Sequence, residues 1–123
     1  MHTRAVDGIV AIGPDGGEKI SRTARSHRIL AELDQFELVE LHFGPGFEGV
    51  EPHSHDDFVD SFYVLLGEAE FQVGDERHRA GPGSFVAAPP GVVHGFWNAG
   101  DGELVMLNVH APKVGFAERL RRG

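Results

Sequence analysis

The chain has 123 residues, of which eleven are Lys or Arg and nineteen are Asp or Glu, so its formal net charge is −8 at pH 7. This length suits one domain, and the negative charge argues against nucleic acid or an anionic membrane as the main partner, because phosphate binding needs clustered basic residues. The sequence contains no cysteine, which excludes a disulfide framework and thiolate metal ligands.

The N-terminal region shows no sign of a targeting or membrane segment. It lacks the apolar core of about 7–15 residues that a signal peptide needs. The longest strongly apolar stretches, such as residues 63–66, are far shorter than the ~20 residues of a membrane helix. We therefore expect a cytoplasmic protein. The glycine-rich residues 13–17 lack the spacing of a phosphate-binding loop and are predicted to form a turn.

The rest of the chain is predicted to be almost entirely β-structure. Glycine and proline recur at intervals typical of an all-β sandwich or barrel. Strands are predicted at residues 36–43, 60–66, 69–73, 76–79, 84–88, 93–98 and 103–110. Gly67-Glu68 suits a type II′ hairpin turn, and further turns are predicted at residues 74–75 and 100–102. Only residues 116–122 are predicted to be helical, as a short cap over one end of the barrel.

Three histidines and one carboxylate form a candidate metal site. His53 and His55 are a His-x-His pair, and side chains two apart on an extended segment lie on the same face. Asp60 follows in the next predicted strand, and His94 lies far along the chain. Three imidazoles and a carboxylate are a ligand set that divalent transition metals favour. The set is complete only if the fold brings the two segments together.

These two segments resemble the two sequence motifs of the cupin family. In the first, four residues separate His55 from Asp60 and six separate Asp60 from Gly67. The second is matched in full by Gly83, Pro89, Gly91, His94 and Asn98. The first motif departs from the family pattern in two ways. Gly46 and Gly49 straddle the expected place of its leading glycine, and Asp60 stands where the family usually has Glu.

The resemblance implies one all-β domain over residues 1–123, a double-stranded β-helix or jelly-roll barrel with a short C-terminal helix. The first motif spans about residues 46–67 and the second spans residues 83–98. It also implies one divalent transition metal ion held by His53, His55, Asp60 and His94. Iron, zinc, manganese, nickel and copper all suit these ligands and are not distinguished by them.

The role of Asp60 stays open at this point. Its side chain is one methylene shorter than Glu, which withdraws its oxygens by roughly 1.5 Å, one carbon–carbon bond length. It could therefore bind the metal directly or through a water molecule. Asp56 and Asp57 are rival carboxylates, although a solvated turn explains them better.

Other side chains are assigned by their position in the predicted strands. Phe62 shares the parity of Asp60, and Phe96 shares that of His94, so both are predicted to line a substrate pocket. His42 and His110 are candidates for orienting the metal ligands. The other predictions place His2, His27 and His78 on the surface, Phe36, Phe43, Phe71 and Phe85 in the core, Trp97 facing outward towards a subunit interface, and Asn98 against backbone groups beside a turn.

Three functions fit this site. The leading hypothesis is a metal-dependent oxygenase-type enzyme that acts on a small apolar or aromatic substrate. The motifs offer no obvious Lys or Arg for a phosphorylated sugar, which disfavours a sugar-phosphate isomerase. The first alternative is a non-catalytic small-molecule binding protein with a structural or adventitious metal. The second is a redox-neutral isomerase, cyclase or hydrolase. We also expect a homodimer, because open sheet edges need to be covered.

Overall fold

The computed structural model describes residues 5–6 and 9–123, so the predicted surface position of His2 lies outside the described residues. Within them the chain forms twelve β-strands followed by one short helix. The strands are β1 (Ala5–Val6), β2 (Ile9–Val10), β3 (Glu18–Arg22), β4 (Arg25–Glu32), β5 (Glu37–Phe43), β6 (Val50–His53), β7 (Val59–Leu66), β8 (Ala69–Val73), β9 (Glu76–Ala80), β10 (Phe85–Ala88), β11 (His94–Asn98) and β12 (Leu104–Ala111), and the helix is α1 (Phe116–Arg122).

Two antiparallel sheets form the body of the molecule. The larger has the strand order β10-β7-β12-β5-β4-β3, the smaller has the order β6-β11-β8-β9, and β1 and β2 form a separate two-stranded sheet. Their inner faces share one hydrophobic core, in which Val39 and Val64 of the larger sheet meet Phe71 and Phe96 of the smaller. The predicted all-β jelly-roll barrel with a C-terminal helix is confirmed.

Strict alternation along the strands decides which side chains enter the barrel. In β5, Val39, Leu41 and Phe43 are buried, while Glu40 and His42 point to the opposite face. In β4 the same alternation turns His27 inward, where it is 4% exposed. The predicted surface position of His27 is therefore wrong, because its strand was not predicted and its inward parity was not evident.

The predicted hairpin at Gly67-Glu68 is also wrong. β7 pairs with β10 and β12 in the larger sheet, whereas β8 pairs with β9 and β11 in the smaller, so these two residues carry the chain from one sheet to the other. Gly67 has a φ of 84°, and a Cβ there would lie 2.3 Å from the carbonyl oxygen of Glu103. A glycine is needed for this close crossing, which has the same local sequence signature as a hairpin turn.

The structure confirms several other sequence predictions about turns and core residues and contradicts one of them. The turn at 74–75 joins β8 to β9 as a true hairpin, and Gly16 N–H donates to the Gly13 carbonyl oxygen in the predicted turn at 13–17. Phe43 and Phe71 are buried in the core and Phe36 is partly buried. Phe85 is 64% exposed, on the outer face of the edge strand β10, so its predicted core position is wrong.

Two polar side chains lie where the sequence predicts them, whereas the placement of Trp97 at a subunit interface stays a prediction. His78 is exposed on β9, as predicted. The Asn98 side-chain amide donates to the carbonyl oxygens of Gly44 and Gly102, which confirms its role beside a turn. Trp97 is partly buried, and the Arg77 guanidinium lies 4.8 Å from the centre of its ring.

The C-terminal helix is fixed to the barrel by one buried carboxylate. Glu37 is 1% exposed and accepts hydrogen bonds from the backbone N–H groups of Val114, Phe116 and Ala117, at 2.8, 3.2 and 3.0 Å. Burial opposes ionisation of Glu37, but these donors outweigh it and lower its pKa. Phe116 and Leu120 pack against the core, so α1 covers one end of the barrel. In the described part of the chain, no helix is long and apolar enough to cross a membrane.

Candidate metal centre

The four predicted ligands come from both sheets and meet inside the barrel. His53 ends β6, and its Cα is the direct partner of His94 on β11. His55 lies just beyond the end of β6, and Asp60 enters from β7 in the larger sheet. In the described residues, one ligand atom from each of the four lies within 4.8 Å of the others. The fold therefore brings the two motif segments together, as the sequence requires for a shared site.

Gly95 allows the two histidine-bearing strands to approach this closely. A Cβ at this position would lie 2.6 Å from the Val50 carbonyl oxygen and 2.9 Å from the Pro52 nitrogen. Backbone atoms cannot yield as a flexible side chain can, so any larger residue must push β6 away from β11. Sequence reasoning did not identify Gly95, although a glycine directly after a candidate ligand in a strand is a signal of close backbone approach.

Backbone carbonyl groups orient two of the imidazole rings. His53 Nδ1 lies 2.8 Å from the Glu51 carbonyl oxygen, and His94 Nδ1 lies 2.9 Å from that of Val92. Each Nδ1–H donates to its carbonyl oxygen, which directs the proton to Nδ1 and leaves Nε2 as the metal-binding atom. This arrangement of a histidine between a backbone carbonyl and a metal is typical of metalloprotein sites.

Asp60 is buried and its two oxygens have different partners. Oδ1 accepts a hydrogen bond from the Asn108 amide at 2.7 Å and lies 3.1 Å from His110 Nε2. Oδ2 faces the histidines, 2.9 Å from His94 Nε2 and 3.7 Å from His55 Nε2. The oxygen that faces the cluster is the one that a metal would use. This geometry fits Asp60 as a direct ligand without the longer side chain of Glu.

The electrostatics of the group favour a cation at its centre. Burial opposes ionisation of Asp60, but the hydrogen bonds from His110, His94 and Asn108 outweigh it, so its pKa lies well below the usual range. Burial lowers the pKa of His94, but its contacts with Asp60 and Val92 have the larger combined effect and raise it. The pKa of His55 is lowered, mainly by burial and then by His53. An ionised carboxylate among buried imidazoles fits a divalent transition metal ion, because the ion supplies the positive charge that the site stabilises.

The two histidines considered as orienting residues lie in different environments. His110 is 5% exposed and contacts Asp60, as that role requires. His42 lies on the opposite face of β5, where its Nε2 is 2.7 Å from Glu40 Oε1 and its Nδ1 is 3.8 Å from Glu103. The suggestion that His42 orients the ligands is therefore wrong, because its strand parity turns it away from the barrel. Asp56 and Asp57 are exposed in a bend, as expected of a solvated turn.

A cavity of about 190 Å³ opens beside the metal-ligand group. Phe62 and Phe96 both line it, so the parity argument placed these two side chains correctly. Phe58, which sequence reasoning missed, also lines the cavity, and its ring stacks on His55 at a centroid distance of 4.3 Å. An apolar wall beside a few polar groups is the usual composition of a small-molecule site.

Another part of the lining of the same cavity is basic, which the sequence motifs did not indicate. Arg25 at the start of β4 and Arg119 in α1 both line it and are exposed. His27 lies there too, and its Nδ1 is a buried nitrogen without a hydrogen-bond partner in the described structure. Burial, followed by the charges of Arg25 and Arg22, lowers the pKa of His27 to about 4.

Comparisons with known proteins identify the fold. A family model described as a cupin domain matches residues 39–110. A comparison with curated proteins finds no match. The structure is similar to that of KdgF from Halomonas sp., with a TM-score of 0.71 and 22% identity, covering 79% of this chain and 87% of the other.

Two further solved structures resemble the chain at higher sequence identity. A conserved protein with a double-stranded β-helix domain from Klebsiella pneumoniae is 29% identical with a TM-score of 0.63, covering 83% of this chain and 84% of the other. The polyketide cyclase RemF from Streptomyces resistomycificus is 27% identical with a TM-score of 0.63, covering 73% of this chain and 66% of the other.

Proposed function

The chain belongs to the cupin family, and from that premise we propose that it is a metal-dependent enzyme of the oxygenase type that acts on a small apolar or aromatic molecule. His53, His55, His94 and Asp60 are the proposed metal ligands. Phe58, Phe62 and Phe96 are the proposed walls of the substrate pocket. The fold alone does not select a reaction, so the proposal depends on the site.

One observation carries this proposal. Four potential ligand atoms converge within 4.8 Å in the described structure, and the cavity beside them is lined by phenylalanines. The hydrogen bonds to the Glu51 and Val92 carbonyl oxygens leave Nε2 of His53 and of His94 as the atoms that would bind a metal, which would replace the proton between His94 and Asp60. A site that only stabilised the barrel would need neither an adjacent cavity nor aromatic walls.

A bound metal with open coordination positions would supply dioxygen activation if it is redox-active, or polarisation of a carbonyl group or water if it is not. The residues of the chain have separate tasks. Asn108 and His110 hold Oδ1 of Asp60, so that Oδ2 faces the histidines, and Asp60 lowers the net positive charge of the site. The phenylalanines exclude water and orient an apolar ring against the ligand group.

The test is aerobic turnover by protein of defined metal content. The chain is purified without a metal-affinity step, its metals are measured, and it is then reconstituted separately with iron and zinc. The proposal predicts oxygen consumption with small aromatic substrates by the iron form and none by the zinc form. Absence of oxygen uptake with every substrate, together with an unchanged fold after chelation, would instead support a non-catalytic binding protein.

A redox-neutral cyclase is the second candidate function. It is supported by the similarity to the polyketide cyclase RemF at 27% identity, which extends over 73% of this chain. This function predicts turnover by the zinc form under anaerobic conditions, which the oxygenase function excludes.

We also propose that the chain forms a homodimer through the outer face of the larger sheet. Tyr63, Leu65 and Phe85 are 43, 42 and 64% exposed there, and Tyr63 and Phe85 are direct cross-strand partners. A second copy of the chain covers such a face with twofold symmetry and a closed contact. Light scattering is expected to give a dimer for the natural chain and a monomer for Phe85→Glu. A natural chain that stays monomeric at high concentration refutes the dimer.

A further inference from the structure

Two arginines from distant parts of the chain, Arg25 and Arg119, line the same cavity as the metal-ligand group and form what we call its arginine end. Arg25 shares the inner side of β4 with His27, two residues further on, and Arg119 projects from α1. A series of contacts joins the two ends of the cavity. Asp60 lies 3.1 Å from His110, the His110 and Phe116 rings are 4.8 Å apart, and the Arg119 guanidinium is 5.9 Å from the Phe116 ring.

Where the structure describes the chain, these two arginines line the cavity without an acidic partner, unlike three arginines on the outer surfaces. Arg28 pairs with Glu40 at 3.2 Å, Arg79 lies 3.8 Å from Glu68, and Arg121 contacts three glutamates. Within the described residues, neither Arg25 nor Arg119 has a carboxylate at ion-pair distance. In a chain with nineteen acidic and eleven basic residues, two cations without an acidic partner at one cavity are available to an anion.

Arg119 is held in position without losing its capacity to bind. One of its nitrogens, Nη1, donates to the Val114 carbonyl oxygen at 3.1 Å, and its guanidinium lies over the Phe116 ring. The other N–H groups of the guanidinium stay available, and their planar arrangement matches the two oxygens of a carboxylate. The nearby His27 adds a buried Nδ1 that lacks a hydrogen-bond partner in the described part of the molecule.

The space between the two ends is apolar and small. Leu41, Phe43, Phe62 and Phe96 line it, and its volume is about 190 Å³. A protein cavity of about 150 Å³ accommodates benzene, so the space here suits one ring with a short substituent. Among the described residues, Arg25 and Arg119 are the Lys or Arg side chains on the cavity lining, which suits the single charge of a carboxylate better than the larger charge of a phosphate group.

We propose that the ligand of this site is a small monocarboxylate with an apolar or aromatic body. Its carboxylate binds Arg25 and Arg119, and its body extends along the phenylalanine walls towards His53, His55, Asp60 and His94. The inference names the substrate class of the proposed function and rests on that function for the choice of cavity. The recognition itself depends on the two arginines and does not require a metal.

The test compares an acid with its neutral amide on the full chain. Phenylacetate and phenylacetamide have the same ring and nearly the same shape, and differ in charge. Binding is measured by calorimetry after chelation, because a metal would itself attract the carboxylate. The natural chain is expected to bind phenylacetate about tenfold more tightly than phenylacetamide. In the double variant Arg25→Gln with Arg119→Gln, the preference is expected to disappear while the affinity for phenylacetamide stays the same.

Two further variants distinguish the loss of carboxylate binding from a disturbed α1 and from a general effect of removing a positive charge. Arg119 contacts Val114 and Phe116, so its replacement could disturb α1, whereas Arg25→Gln leaves these contacts intact and is expected to remove about half of the preference on a logarithmic scale. The matched control is Arg79→Gln, which removes an exposed arginine away from the cavity and should leave the preference unchanged.

Three results would overturn the inference: equal affinity of the natural chain for the two probes, an undiminished preference in the double variant, or no binding of either probe at millimolar concentration. A separate metal titration distinguishes this failure from failure of the proposed function. Metal binding without carboxylate preference overturns only the inference. Carboxylate preference without metal binding overturns only the metal-dependent function.

Discussion

The two ends of the cavity are built in different ways. The metal-ligand end consists of buried or half-buried side chains on, or directly beside, paired strands. Backbone carbonyl or polar side-chain groups hold His53, His94 and Asp60, while His55 stacks on Phe58. The arginine end consists of exposed side chains, one of which lies on a seven-residue helix. The first end is preorganised by the sheets, whereas the second depends on how α1 is held to the barrel. Substitutions that mainly affect the sheets, or mainly affect the attachment of α1, test this difference between the two ends.

The largest effect is expected from Glu37→Ala. This change removes the acceptor of three backbone N–H groups before and within α1 and leaves them buried without a partner. We expect a loss of about 3 kcal/mol or more in the free energy of unfolding, measured by chemical denaturation. Glu37→Gln, which keeps one carbonyl acceptor, is expected to lose less.

The same variant is also informative about function. Glu37 binds α1 directly, whereas it reaches the metal ligands only through His110, whose Nδ1 lies 4.0 Å from Glu37 Oε2. Glu37→Ala should therefore weaken phenylacetate binding more than metal binding under folding conditions. Equal loss of both kinds of binding would show that the two ends of the cavity are not independent.

The second largest effect is expected in the pH dependence of folding stability, and it comes from His27 in the basic part of the cavity. Burial and the charges of Arg25 and Arg22 lower the pKa of His27 to about 4, whereas an unfolded chain has a histidine pKa near 6.5. Between these values the unfolded chain binds more protons than the folded chain, so stability falls as the pH drops from 6.5 to 4.

His27→Phe is expected to remove this dependence, which amounts to about 2–3 kcal/mol for the natural chain. Denaturation of the chelated natural chain and the variant across this pH range measures the difference. Parallel curves for the two proteins would contradict the assigned cause.

A smaller effect is expected from Gly95→Ala, which acts on the metal-ligand end. The added methyl group would meet the backbone of Val50 and Pro52, so β6 must move and take His53 with it. We expect metal affinity to fall about tenfold, while phenylacetate binding to the chelated protein changes little. Gly46→Ala is the matched control, because a Cβ there meets nothing within 4 Å. Equal metal affinity of Gly95→Ala and the control would contradict this role for Gly95.

Much of the strand layout follows from local sequence. The predicted strands from residue 36 onward agree with β5 and β7–β12 to within one residue at each end, and the predicted helix coincides with α1. These segments are bounded by glycine and proline turns, whose conformational effects are local. The assignment of Gly67-Glu68 to a hairpin failed because a tight turn within one sheet and a crossing between two sheets need the same residue types. The two cases are distinguished only by the pairing of β7 with β12 and of β8 with β11, which are distant in the sequence.

The residues of the candidate site also fall into those that local sequence predicts and those that only the fold reveals. His53, His55, Asp60 and His94 stood out because their spacing follows two motifs, and the fold places them in one group. Arg25, Arg119 and His27 carry no motif and are distant in sequence, so only the packing of α1 against β4 and β5 reveals that they share a cavity. Phe85 and His42 were misplaced because parity within a strand does not state which face is inner.

The most direct test of the central claim is a metal titration of the chelated natural chain beside His94→Ala, with His78→Ala, an exposed histidine on β9, as the control. We predict one ion per chain for the natural protein and the control, with a loss of about a hundredfold in affinity for His94→Ala. The same stoichiometry and affinity in all three proteins would contradict a metal centre formed by His53, His55, Asp60 and His94.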